Sequence, residues 1–213
     1  MRQRTVKNLE EKLELNSSFL IREPRECKGK WAEVFGNSNP IFLEIGCGKG
    51  QFIFKHASQN PDKNYIAIEG QESVALRALE KAENGGLQNL RVFMDFVNDI
   101  KDYFEEGELT GIYLNFSDPW PKARHAKRRL TFHKRLLNYK EVIGKDGIIE
   151  FKTDNDGLFE FSLEEIKIAQ LEMLEMTRDL HSDECNYKSK EVTTEYEDKF
   201  RNGGKNINFV KIR

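Results

Sequence analysis

Residues 41–50 read IFLEIGCGKG: an apolar, β-favouring run broken by one acid, Glu44, then glycine at every second place, Gly46, Gly48 and Gly50. A short apolar run bounded by glycines reads as a buried strand ending in a tight turn. Glycine permits such a turn and lets the backbone come close to a ligand. A helix expected over 49–59 would offer its free N–H groups just beyond. Outward from this unit the same alternation continues. Strands are expected at 41–45, 64–69, 90–94, 111–116 and 147–152, then around 172–178 and at 206–212. Helical patterns fall near 49–59, 71–84, 98–105, 132–143 and 157–170. This order predicts an α/β chain: a mostly parallel seven-stranded sheet with helices on both faces. Such sheets bind ligands in the crevice beyond the C-terminal ends of their strands. Residues 1–39 read as a polar arm and 181–204 as a long polar loop. No repeat or linker divides 1–213, so a single domain is expected.

The 213 residues suffice for one core that buries ~70% of the unfolded surface. Charged residues make up 33% of the chain, yet the net charge is only -2, so affinity for a polyanion has to come from a local patch. Three cysteines, Cys27, Cys47 and Cys185, are odd in number and lack metal-like spacing. That argues against a disulfide framework or zinc site and for a reducing compartment. No run approaches the ~18 apolar residues of a membrane span, and the start MRQRTVKNLE has no signal-peptide core. The expectation is a cytoplasmic protein with neither membrane nor metal.

Chemistry is then sought at each strand end. The spacing G-x-G-x-G puts Gln51 where the dinucleotide fingerprint needs a third glycine, which speaks against a nicotinamide oxidoreductase. Glu69 closes the second strand, 19 residues after Gly50, where an acid accepts hydrogen bonds from both ribose hydroxyls. Glu44 suits a ligand carrying an ammonium or sulfonium charge better than a pyrophosphate. Together these favour S-adenosylmethionine over NAD or ATP; a purely structural Glu44 would need a buried partner. After the third strand, MDFVND (94–99) offers Asp95 and Phe96 to an adenine. Phe96 either stacks on the purine or fills core, and core is the preferred reading.

The fourth strand end, LNFSDPWPKARHAKRR (114–129), changes character abruptly. Asp118 is followed by Pro119 and Pro121, which leave the turn little freedom. It reads as a substrate-positioning acid or, more plainly, as a turn cap with Trp120 as a core anchor. Behind it come Lys122, Arg124, His125, Lys127, Arg128, Arg129, Lys134 and Arg135, with no Asp or Glu from Pro119 through Lys140. A same-sign run on a net-acidic chain costs self-repulsion unless a polyanion relieves it, so this flank reads as a nucleic-acid surface. The fifth strand end, FKTDN (151–155), carries a polar cluster in which Thr153 or Asp154 would cap the next helix. By spacing alone TTEYEDKF (193–200) is an exposed loop, and His56 and His181 look incidental.

The segments KGKWAEVFGN (28–37), LEIGCGKGQF (43–52), YIAIE (65–69), YLNFSDPWPKARHAKRRLTF (113–132), FKTDNDGLFEFS (151–162) and TTEYEDKF (193–200) together resemble the bacterial tRNA (guanine-N7)-methyltransferases. The most specific part is SDPWPKARHAKRR. The resemblance implies a Rossmann-like class I methyltransferase that moves a methyl group from S-adenosylmethionine to N7 of guanine 46 in the tRNA variable loop. S-adenosylhomocysteine would be the product, and no metal would be involved. By the same resemblance Glu44, Gly46, Gly48, Gly50, Glu69, Asp95, Phe96 and Asp118 would meet the cofactor, with Asp118 catalytic. Lys122, Arg124, His125, Lys127, Arg128, Arg129, Asp154, Thr194, Glu195, Tyr196 and Glu197 would meet tRNA. No obligatory protein partner is implied, and the protein would act as a monomer or homodimer. The chain departs from the pattern at Phe96, where many relatives have an acid, and at Asp156, where they often have arginine. A reading of a different class is an RNA-binding module on a degenerate cofactor fold. Phe96 favours it, whereas the glycine turn, Glu69 and Asp118 speak against it.

Overall fold

Each apolar run ahead of a turn forms a strand in the computed structural model, which describes residues 7–213. In chain order the elements are α1 (Leu9–Leu15), α2 (Trp31–Phe35), β1 (Ile41–Ile45), α3 (Gln51–Gln59), β2 (Asn64–Ile68), α4 (Glu72–Gly85), β3 (Leu90–Phe93), β4 (Leu109–Asn115), α5 (His133–Val142), β5 (Ile143–Thr153), α6 (Asp156–Ile168), β6 (Met173–Thr177), α7 (Glu195–Asn202) and β7 (Asn208–Ile212). The sheet order is β3-β2-β1-β4-β5-β7-β6. Strands β1 to β5 pair in parallel, and β7 runs antiparallel between β5 and β6. The α/β sheet is the one predicted. From β1 the chain winds outward to β3, then returns to add β4 on the other side. The β1–β4 junction is therefore the switch point where such sheets open a crevice.

Alternation within each strand sends side chains to opposite faces. Ile41, Leu43 and Ile45 join Ile66, Ile112, Ile149 and Phe151 in one buried cluster. Phe42, Tyr65, Ala67 and Tyr113 join Phe52, Leu76 and Leu79 from α3 and α4 in the other. Glu44 therefore shares the face of Phe42 and lies under α3.

Three expectations need correction. Residues 98–105 form only a 3₁₀ turn, Ile100–Asp102, because the Asp99 side chain accepts from Lys101 N and tightens that turn. Tyr103 and Phe104 then drop into the core. The supposed polar arm is ordered packing from Leu9 on, while residues 1–6 lie outside the described part. Phe19 and Leu20 are buried, the backbone of Phe19 and Ile21 bonds Val92 on β3, and the indole of Trp31 (0% exposed) donates to Tyr103 O at 2.9 Å. Its apolar residues are spread thinly among charges, so no periodicity revealed it, but it covers an otherwise open sheet edge. The loop 181–204 contains α7, whose role is described below.

Candidate active site

The turn after β1 is held from below. Gly46 N and Cys47 N both donate to Ile68 O, at 2.8 and 3.0 Å. Gly46, Gly48 and Gly50 have φ of 77°, 57° and 75°, left-handed values that favour glycine. Gly50 is also needed for space, since a Cβ there would lie 2.8 Å from Ala78 Cβ. Beside Gly46 and Gly48 a Cβ would meet nothing within 4 Å, so these two border open space. Glu69 ties the turn to α4: its carboxylate accepts from Gly48 N and Gln71 N, each at 3.0 Å. A carboxylate has about four acceptor positions, so capacity for a ligand hydroxyl remains.

Glu44 is 2% exposed, and Asn115 Nδ2 donates to its Oε1 at 2.8 Å. Its Oε2, Asn115 Oδ1 and Ser117 Oγ are buried without partners among the described residues. An unsatisfied buried polar atom costs about 1–3 kcal/mol, so the Glu44–Asn115 pair at the switch point has hydrogen-bonding capacity to spare. Burial raises the Glu44 carboxyl from its ordinary 4.5 to about 8. The folded protein thus keeps a proton that the unfolded chain releases near pH 4.5. Stability from this site is full below that pH and falls as pH rises towards about 8. In ligand-free protein the thermal midpoint of Glu44→Gln should therefore gain steadily on wild type from about pH 5 to 8. An offset independent of pH would show that Glu44 titrates elsewhere.

Asp118 is exposed and has no partner among the described residues. Phe116 and Trp120, on either side of it, have φ of 50° and 41°. Left-handed backbone is rare for bulky residues and marks a constrained turn. Arg129 holds that turn, its Nε donating to Pro119 O at 2.9 Å and its Nη2 to Trp120 O at 3.0 Å. The Arg129 guanidinium also lies 4.1 Å from the Phe161 ring centroid, and that of Arg128 4.8 Å from the Trp120 ring. Trp120 is half-buried, not a core anchor, and Asp118 caps nothing.

A second polar centre lies under the crevice. Lys152, 1% exposed, donates to Ser189 O (2.6 Å), Val192 O (3.0 Å) and both oxygens of Glu197 (3.3 Å). Burial lowers the pKa of this ammonium, and Glu197 and Glu150 oppose that. Glu197, 0% exposed, also meets His181 Nε2 at 2.6 Å and accepts from Thr194 N at 3.2 Å. Thr194 Oγ1 in turn accepts from Glu197 N at 2.9 Å, completing a capping box. Alpha7 begins against the glycine turn: Glu195 pairs with Lys49 at 2.9 Å, and Gln51 Nε2 donates to Asp198 at 3.0 Å. The segment is a strap across the first strand end, not a free loop. No cluster of three or more His, Cys, Asp or Glu suited to a metal occurs among the described residues.

A family model described as "Putative methyltransferase" matches residues 38–210. The tRNA (guanine-N(7)-)-methyltransferase of Streptococcus suis (strain 05ZYH33) is 46% identical over 213 residues, covering 100% of this chain and 99% of that protein. The chain belongs to the tRNA (guanine-N(7)-)-methyltransferase family. The protein of that name from Streptococcus agalactiae serotype III (strain NEM316) is 45% identical, with 100% of both chains covered. Among solved structures, an antibiotic-related methyltransferase matches with a TM-score of 0.61 at 17% identity, over 86% of this chain and 92% of that one. That last likeness concerns the fold.

Of the residues that the tRNA (guanine-N(7)-)-methyltransferase resemblance assigns to a cofactor, Glu44, Gly46, Gly48, Gly50 and Glu69 meet at one turn. Asp95 is engaged elsewhere, accepting from Tyr103 OH at 2.7 Å with Arg25 at 3.7 Å. Phe96 is 69% exposed, so the core reading fails. Its ring lies over Gly70, where a Cβ would come within 2.4 Å of it, and this leaves a free aromatic face near Glu69. On the basic flank, Lys122, Arg124, Lys127 and Arg128 are exposed along a 3₁₀ turn, with His125 half-buried.

Glu195 and Tyr196 are exposed, and Asp154 is half-buried near Lys205. Glu197 does not fit as a tRNA contact, because it is enclosed and committed to Lys152, His181 and Thr194. His181 is accordingly not incidental. The cap of α6 is Asn155, accepting from Leu158 N, in place of Thr153 or Asp154. Sequence reasoning passed over Asn115, Ser117, Gln51 and the burial of Lys152. A polar residue inside a buried strand, such as Asn115 in GIYLNF, was the signal available.

Proposed function

We propose that this protein transfers the methyl group of S-adenosylmethionine to N7 of guanine in tRNA, at position 46 of the variable loop. The observation that carries this reading is its end-to-end likeness to relatives of that name. The geometry supports it: open space beside Gly46 and Gly48, an anchored acid in Glu69, and a half-paired buried carboxyl group in Glu44. Glu69 would take the ribose hydroxyls, Phe96 would lie against the adenine, and Glu44 with Asn115 would face the cationic amino-acid tail. The cofactor supplies an activated methyl group.

Guanine N7 carries a free lone pair and no proton, so no side chain has to act as a base. The protein's task is alignment. Asp118, without a partner among the described residues and carried on a constrained turn, accepts hydrogen bonds from guanine N1–H and the exocyclic amine, which selects guanine over adenine. The same carboxylate stabilises the positive charge that develops on the purine. Exposed cations of the flank hold the phosphates, and the work falls in the cytoplasm, where tRNA is processed.

Incubation with S-adenosylmethionine and bulk tRNA, followed by digestion, should yield 7-methylguanosine that maps to position 46. Absence of that nucleoside would overturn the reading, and a different position would correct it. Replacing Lys127 and Arg128 with alanine should weaken tRNA binding and reduce its logarithmic salt slope by about two, one per phosphate contact. An unchanged slope would remove them from the RNA surface.

A further inference from the structure

We propose that Arg129 works inward, as a positioning residue that locks the Pro119–Trp120 turn and so aims Asp118, in contrast to the phosphate-binding cations beside it. This deepens the role given to Asp118 above and rests on it.

The guanidinium edge formed by Nε and Nη2 is one of the two edges that a bidentate phosphate can use. Here both donors are spent on consecutive carbonyls, Pro119 O and Trp120 O, at 2.9 and 3.0 Å. One face of the group is covered by Phe161 at 4.1 Å, a contact that favours a cation shielded from water. No carboxylate lies within ion-pair distance of it among the described residues, so its charge is directed at the two carbonyl dipoles. The carbonyls it grips belong to the turn where Trp120 holds φ 41°. A left-handed bulky residue costs about 1–3 kcal/mol and persists only where its surroundings over-determine it. Pro119 has no N–H with which to brace the turn from within. Arg129 therefore supplies from outside the hydrogen bonds that the turn's own backbone lacks. Lysine cannot reproduce this, since a point charge replaces a rigid two-donor edge.

The test compares kcat, tRNA affinity and salt slope for Arg129→Ala, Arg129→Lys and Arg128→Ala, with S-adenosylhomocysteine binding as a check on folding. Misplacement of a reacting group by about 1 Å costs ~10²-fold. Arg129→Ala is expected to lose kcat on that scale at saturating tRNA while keeping the wild-type salt slope. Arg128→Ala should lower the slope by about one. Arg129→Lys should also lose kcat, by roughly tenfold, and it decides the matter if the alanine variant does not fold.

In an Asp118→Asn background, Arg129→Ala should cost nothing further, because both act through one group. A reduced slope with kcat preserved, full kcat in Arg129→Lys, or losses that multiply in the double variant would each overturn the proposal. Full activity of Asp118→Asn alone would instead remove the role of Asp118, and this proposal with it. A wild-type protein that makes no 7-methylguanosine would reject the function itself.

Discussion

Asp118→Ala is expected to lower kcat by about 10²–10³-fold, the usual loss when one preorganised electrostatic group is taken from a reacting centre. Binding of S-adenosylhomocysteine should stay near wild type, because the polar groups given to that ligand above are Glu69, Glu44 and Asn115, none of which bonds to Asp118. Stability should change by no more than about 0.5 kcal/mol, since the side chain is exposed and bonds to nothing among the described residues. Single-turnover methylation and calorimetric titration separate the two effects. A parallel loss of binding and rate would show that Asp118 helps to hold the cofactor and is not dedicated to the guanine.

Lys152→Met should act through the fold. Removing one partner of a buried ion pair costs about 3–5 kcal/mol, because the remaining charge is left uncompensated. Here that charge is Glu197, enclosed in the capping box of α7, and the carbonyls of Ser189 and Val192 lose their donor as well. For a chain of this size the midpoint of thermal unfolding should fall by roughly 6–20 °C. Affinity for S-adenosylhomocysteine should fall with it, since α7 is strapped to Lys49 and Gln51 of the glycine turn. Chemical denaturation of wild type and variant provides the check. A loss below about 1 kcal/mol would mean that His181 and Thr194 hold Glu197 well enough without Lys152.

Local patterns carried much of this into the sequence. Strand and helix periods, the alternating glycines and the acid at the end of β2 are short-range signals, so the sheet and its first strand end were readable directly. Contacts between distant segments were not. Lys152 and Glu197 lie 45 positions apart, and the pairing of Asn115 with Glu44 spans 71. Thr194 and Glu197 do form a local capping-box pattern, but the charge around them made an exposed loop the natural reading. Arg129 shows a different limit. In KARHAKRR all cations look alike, and only folding reveals that one of them turns back onto the chain.

The placement of β7 also sets the order in which the molecule can be assembled. Strands β1 to β5 can pair with neighbours already made as the chain leaves the ribosome. Beta6 has no such neighbour, because its partner is β7, which is synthesised about 30 residues later and slots in between it and β5. Until then Met173, Leu174 and Met176 sit on an unpaired strand, the kind of exposed edge that chaperones recognise and that seeds aggregation. A ribosome stalled before residue 208 would therefore display a finished glycine turn beside an open sheet.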